Sequence, residues 1–172
     1  MKYFLKRSLA YLIDCTICFS LVMLVIQWAI LSHIRESVGI TNEWFANSLN
    51  MELYVLLSIS IPVWVYFTYF DSKKTKGTFG KRILKLSVSD DKKRKIGLGK
   101  SFQRTLLKLA PWEIIHLGLI FPTPMYFEVE PEIRILTIIG ILLFITYMAS
   151  ILLNSNRQSI YDKLIGTNVI EE

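Results

Sequence analysis

Residues 8–31 read SLAYLIDCTICFSLVMLVIQWAIL, a long apolar run in which Asp14 is the one acidic side chain and no basic residue occurs. A helix rises about 1.5 Å per residue and needs about 20 apolar residues to cross a hydrocarbon layer about 30 Å thick. This stretch has that length, and so does 51–70, MELYVLLSISIPVWVYFTYF. A third run, 106–127, is weaker, because Lys108, Glu113 and His116 lie in it and Pro111, Pro122 and Pro124 interrupt it. The fourth, 133–153, is clean apart from Arg134 at its edge.

The whole composition agrees with these runs. Of 172 residues, 52% are hydrophobic and 20% charged, with a mean hydropathy of +0.42, which is more apolar side chain than a soluble globule of this size can bury. Intrinsic disorder is excluded on the same grounds. The expected fold is an all-α membrane protein, a single domain over 1–172. It has four transmembrane helices at about 8–31, 51–70, 106–127 and 133–153, a loop at 71–105 and a tail at 154–172. A cleaved signal peptide is not expected, because the first run is too long for a signal core, contains Asp14 and lacks a small-x-small cleavage site.

Charge gives the orientation. The formal net charge is +6, from 20 Lys+Arg against 14 Asp+Glu. Lys2, Lys6 and Arg7 precede the first run, thirteen basic residues fall between Lys73 and Lys108, and Arg157 and Lys163 lie in the tail. Arg35 and Arg134 are left for the other side, together with Glu36, Glu43, Glu52, Glu128, Glu130 and Glu132. Cytoplasmic segments carry the excess of Lys and Arg, so loop and tail are expected in the cytoplasm with both termini, in a multipass protein of the cell (inner) membrane. An even number of crossings requires the third run to be one of them.

The run KKRK at 92–95 could contact phosphate, but no aromatic residue is interleaved with it for base stacking. Anionic lipid headgroups are the expected partner, and nucleic acid is not. Within the loop, 83–89 (ILKLSVS) alternates at period two, a polar Asp-Asp-Lys-Lys turn follows, and 95–98 resumes, which predicts a short cytoplasmic β-hairpin. Residues 100–109 (KSFQRTLLKL) switch to an amphipathic helical pattern leading into the third crossing. Cys15 and Cys18 are one helical turn apart with no further cysteines, which allows neither a disulfide framework nor a four-cysteine zinc site; they read as small packing residues.

Ionisable groups inside the apolar runs carry the information, because each costs a few kcal/mol at mid-membrane. Arg7, Tyr11 and Asp14 lie on one helix face, in a ladder descending about 10 Å. The ladder reads either as a structural charge cluster that tethers helices or as a site where a proton or cation neutralises Asp14. In the third run, Pro111 suits a first helical turn, and Glu113 and His116 follow at i, i+3 on one face. Glu-x-x-His is a ligand spacing in di-iron bundles, which need the motif twice; one copy occurs here, so no metal is expected. A buried hydrogen-bonded pair and a proton-exchanging pair near Asp14 both stay open. Pro122-Thr-Pro124 marks either an interrupted crossing of the kind that holds ligands in transporters or a simple helix end.

Three blocks of the chain resemble the RDD family of small integral membrane proteins, named for one arginine and two aspartates. RSLAYLID places Arg7 at the start of the first helix and Asp14 inside it. GTFGKRILKLSV is followed by SFQRTLLK in the loop, and RQSIYDKLIGTNVI places Asp162 at the second aspartate with Gly166-Thr167 after it. Family members often carry Pro where Phe79 stands. The resemblance implies a small membrane protein that transports ions or small ligands, with cation/proton exchange attributed to some members.

Physically, 157–165 (RQSIYDKLI) is a short amphipathic helix ending at Gly166, with 168–170 extended beyond it against the loop hairpin. Arg7 is expected to bridge Asp14 and Asp162 and lock the tail under the helices; otherwise Asp162 only caps its own helix. Two functions follow. In the first, a transporter or exchanger lines a polar path with Asp14, Glu113 and His116, in a homo-oligomer because four helices enclose only a thin path. In the second, a noncatalytic membrane scaffold or assembly factor uses its basic loop to dock lipid or a partner protein. Enzyme activity is not expected, for no nucleophile–base pair or phosphate-cradling loop occurs and the 77–81 turn lacks the Walker spacing. No cofactor is expected.

Overall fold

A computed structural model describes residues 2–127, 130, 132–154 and 156–171. Glu128, one of the glutamates expected on the outer side, lies outside the described residues, as does the side chain of Glu36. The chain divides into two compact units, Met1–Cys18 with Val63–Leu109 and Ile145–Glu172, and Phe19–Pro62 with Ala110–Phe144.

Helix dominates. α1 spans Lys2–Ile34, the short α2 spans Asn42–Phe45, and α3 spans Ser48–Phe70. Asn47 starts α3 by accepting hydrogen bonds from the amides of Leu49 and Asn50, which the first turn leaves without helical partners. After α4 (Phe79–Ile83) and β1 (Leu86–Asp90) come α5 (Leu98–Ile120), α6 (Ile135–Leu153), α7 (Ile160–Ile165) and β2 (Thr167–Glu171). Among the described residues, three helices are long and apolar enough to cross a membrane: α1, α3 and α6.

α5 differs from the expected third crossing. The amphipathic stretch at 100–109 and the apolar run from 106 form one helix of 23 residues, and it carries Lys100, Arg104, Lys108 and Glu113. Pro111 sits inside this helix rather than in its first turn. The helix stops at Ile120, ahead of Pro122 and Pro124, whose rings and missing amides cannot continue it.

The expected local hairpin is replaced by a long-range one. β1 pairs antiparallel with β2 in the register Leu86↔Glu171, Val88↔Val169, Asp90↔Thr167. The segment at 95–98 forms the isolated backbone bridge Ser89↔Lys95 with β1 instead of a ladder. Asp90 explains the sharp reversal: its Oδ1 accepts the amides of Lys92 and Arg94 and closes a tight turn. The tail strand is the better partner because pairing with it buries Val169 in a cluster with Leu86, Val88, Ile96 and Ala10. Burial of such side chains is worth about 1.5–3 kcal/mol each.

Two contacts hold the elements of the first unit in place. Ser101 Oγ donates to the Thr68 carbonyl at 2.8 Å, joining α5 to α3. Gly166, at φ +66°, takes the left-handed conformation that ends α7, and its carbonyl accepts from Lys100 Nζ at 2.8 Å. In the second unit, α1 and α3 both contain π-helical stretches, Leu21–Leu31 and Leu56–Ser60. They meet at a polar knot: Gln27 Nε2 donates to Ser58 Oγ at 2.8 Å and the Tyr54 hydroxyl donates to Gln27 Oε1.

Candidate functional site

The first unit contains a chain of buried charges drawn from α1, the end of α3, α4, α5 and α7. Arg7 on α1 donates from Nη2 to Asp162 Oδ2 at 2.6 Å. Arg104 on α5 donates from Nε to Asp162 Oδ1 and from Nη1 to Asp71 Oδ2, both at 2.8 Å. Lys81 on α4 pairs with the other oxygen of Asp71. The order is Arg7, Asp162, Arg104, Asp71, Lys81, each carboxylate sitting between two cations. Charges taken from water are retained only with such close pairing.

Local sequence prepares these positions. Ser159 caps α7 by accepting the Asp162 amide at 3.2 Å, and its hydroxyl donates to Asp162 Oδ2 at 2.7 Å. Thr167 Oγ1 joins Arg7, Arg104 and Ser159 as a fourth donor side chain, at 3.0 Å from Asp162 Oδ1. Asp71 follows directly on the last apolar turn of α3, which places its carboxyl against α4 and α5. Burial opposes ionisation of Asp162, but Arg104 and Arg7 outweigh it and hold the carboxyl well below the usual carboxylate range. Asp71 behaves alike: Lys81 and Arg104 overcome its burial and lower its pKa.

Asp14 has another environment. It is 1% exposed, and its carboxylate accepts three hydrogen bonds from neutral donors. These are Tyr66 OH at 2.8 Å and Gly80 N at 2.8 Å to Oδ1, and Thr78 Oγ1 at 2.6 Å to Oδ2. The expected bridge from Arg7 to Asp14 is not formed. Arg7 makes the other expected contact, to Asp162 in the tail, and adds bonds to the Arg157 carbonyl and the Tyr161 hydroxyl. Of the partners of Asp14, Tyr66 lies on α3, while Thr78 and Gly80 lie at the turn that leads into α4 and folds onto α1.

That turn depends on Gly80. A Cβ there would lie 2.1 Å from the Ala10 carbonyl oxygen, so only glycine lets the backbone amide reach Asp14. Phe79, beside it, donates its amide to the Tyr66 hydroxyl at 3.2 Å. Its ring lies against Tyr66 and Phe70, with the Arg82 guanidinium 5.4 Å from the centroids of both Phe70 and Phe79.

Glu113 and His116 belong to the second unit and Asp14 to the first. Ser60 Oγ donates to Glu113 Oε2 at 2.9 Å, and His116 Nδ1 stands 4.0 Å from the same oxygen. Among the described residues no three His, Cys, Asp or Glu side chains are grouped to hold a metal ion, and Cys15 and Cys18 are free thiols.

The sequence model of the RDD family matches residues 3–166. The chain belongs to that family. No curated protein and no solved structure matches it. The three residues behind the RDD name divide in this chain: Arg7 and Asp162 pair, while Asp14 is held apart by hydroxyls and an amide. Where RDD members often carry Pro, Phe79 supplies an amide that proline lacks.

Sequence reasoning missed Tyr66, Thr78, Asp71, Lys81 and Arg104 as members of the cluster. Thr78, Gly80 and Lys81 lie in the GTFGK block and Arg104 in SFQRTLLK, so a charge or glycine inside each block was the available signal. Tyr66 gives none, for it is one aromatic among many in α3.

Proposed function

We propose that this RDD-family membrane protein is a small multipass transporter that exchanges a monovalent cation for protons at Asp14. The observation that carries the reading is the contrast between carboxylates. Asp71 and Asp162 share three cations, whereas Asp14 is equally enclosed and bound only by neutral donors. A buried carboxylate without a counter-ion is the group for which an incoming cation or proton makes the greatest difference. The hydroxyl oxygens of Tyr66 and Thr78 retain lone pairs that suit a monovalent cation beside the carboxylate.

The membrane setting completes the proposal. α5 joins α1, α3 and α6 as a fourth crossing, which keeps both termini in the cytoplasm on the side that holds most of the Lys and Arg. The protein lies in the cell (inner) membrane, its basic loop lies against anionic headgroups, and subunits associate as a homo-oligomer. Glu113 and His116 act as proton-exchanging groups in the second unit. Flux into proteoliposomes with an entrapped pH dye tests the reading. Cation-dependent proton movement lost in Asp14→Asn is the expected result.

A second reading is a noncatalytic scaffold, favoured by the fully paired charge chain from Arg7 to Lys81, which staples loop and tail to the helices. Absence of flux across Li⁺, Na⁺ and K⁺, with the protein intact, would favour it.

A further inference from the structure

One buried cation stands outside the charge chain. Lys108 on α5 is 8% exposed, and its Nζ forms no ion pair with any described carboxylate. It lies 3.4 Å from the centroid of the Phe67 ring and 4.7 Å from that of Tyr11. The groups acting on it come from every neighbouring element. They are Asp14 and Cys15 on α1, Asp71 at the end of α3, Lys81 on α4, and Arg104 one turn back on its own helix.

The sum of buried charges makes this position special. Arg7, Lys81 and Arg104 balance Asp14, Asp71 and Asp162, three against three. The proton on Lys108 is therefore the one excess positive charge in the cluster. A monovalent cation at Asp14 would add a second, in surroundings where uncompensated charge is costly. Of the four buried cations, the two arginines do not release protons and Lys81 is paired with Asp71. Among the described residues, Lys108 alone is both free of a carboxylate ion pair and able to become neutral. The aromatic faces of Phe67 and Tyr11 accommodate the ammonium and equally the neutral amine.

Resting on the reading of Asp14 as the cation site, we propose that Lys108 is the exchanging proton carrier: its ammonium and a cation at Asp14 alternate, one for one. In the exchange an N–H bond of the ammonium breaks, the electron pair stays on Nζ, and the proton passes to water. The cation gives up hydration water for the Asp14 carboxylate oxygens. Cluster charge stays at one positive in both states, and the doubly charged state is avoided.

The test uses the purified full chain in detergent, weakly buffered at about pH 6, with a pH dye and additions of LiCl, NaCl or KCl. Cation binding is followed in parallel by radiotracer dialysis, and N-methylglucamine chloride controls for ionic strength. One of the three cations should release about one proton per chain, and its affinity should fall about tenfold per pH unit on the acid side. Lys108→Gln should bind the cation with no proton release and no pH dependence. Lys108→Arg, which keeps a fixed charge, should bind at least about tenfold more weakly and release nothing. Proton release from Lys108→Gln equal to that of the unaltered chain overturns this proposal and leaves the Asp14 reading standing. So does binding to the unaltered chain, lost in Asp14→Asn, without any proton release. Absence of binding by all three cations overturns both. Should Lys108→Gln fail to fold by circular dichroism, Lys108→Arg decides alone: unchanged proton release and affinity overturn the proposal.

Discussion

Arg7 Nη2 meets Asp162 Oδ2 at 2.6 Å, joining two residues 155 positions apart in the chain. The contact draws the tail against the first turns of α1, and Arg104 extends it at 2.8 Å to α5. Removing one partner leaves a buried charge unmatched. Asp162→Asn and Arg7→Gln should each cost about 3 kcal/mol, and the double variant distinctly less than their sum. Denaturation in detergent, with proteolytic release of the tail as a second readout, checks this.

The same pairs set a pH dependence. Asp71 and Asp162 are held below their ordinary range when folded, so the unfolded chain takes up protons first as pH falls. Their contribution is complete above the unfolded carboxylate value of about 4 and declines below it toward the lower folded values. A thermal midpoint that is level from about pH 7 to 5 and falls below about pH 4 is expected, with the fall reduced in Asp162→Asn.

Gly80 offers a steric test. Gly80→Ala drives a methyl group into the Ala10 carbonyl oxygen, which is backbone and cannot turn aside. A loss of about 2–3 kcal/mol is expected, together with loss of the Gly80 amide bond to Asp14. Gly97→Ala, where a Cβ meets nothing within 4 Å, should be near neutral. Thermal unfolding of the two variants side by side decides.

The long-range sheet predicts that the tail supports the loop. Val169→Asp places a carboxylate among Leu86, Val88, Ile96 and Ala10 and should cost about 3 kcal/mol or more. Hydrogen exchange of the Leu86–Asp90 amides should rise in that variant, whereas an independent local hairpin would leave them protected.

Much of this was legible along the chain, because apolar runs, a basic loop and a capped tail helix are local patterns. The runs at 8–31 and 51–70 lie within α1 and α3, and 133–153 contains α6, which starts two residues later. Gly166 ends α7 as expected, whereas the helix starts at Ile160 behind the Ser159 cap rather than at 157. The hairpin failed for an instructive reason. Alternation in 83–89 identifies a strand, and 168–170 was expected to lie extended against it, but periodicity did not show that the tail would replace 95–98 as its partner, with Val169 completing an apolar cluster.

What the sequence alone determined is the solvent this protein prefers and the residue types that cannot rest there unpaired: the apolar segments demand lipid, and Arg7, Asp14 and Asp162 demand company. The pairing of Arg7 with Asp162 was expected from the sequence, but that neutral donors answer Asp14 was decided only in three dimensions. Arg7 and Asp14 share a helix face by spacing, yet the carboxylate of Asp162 and the turn at Thr78–Gly80 arrive from distant segments and claim one each. Side-chain pairing depends on separations of a few ångströms between segments tens of residues apart, and periodicity along a single chain carries no such distance.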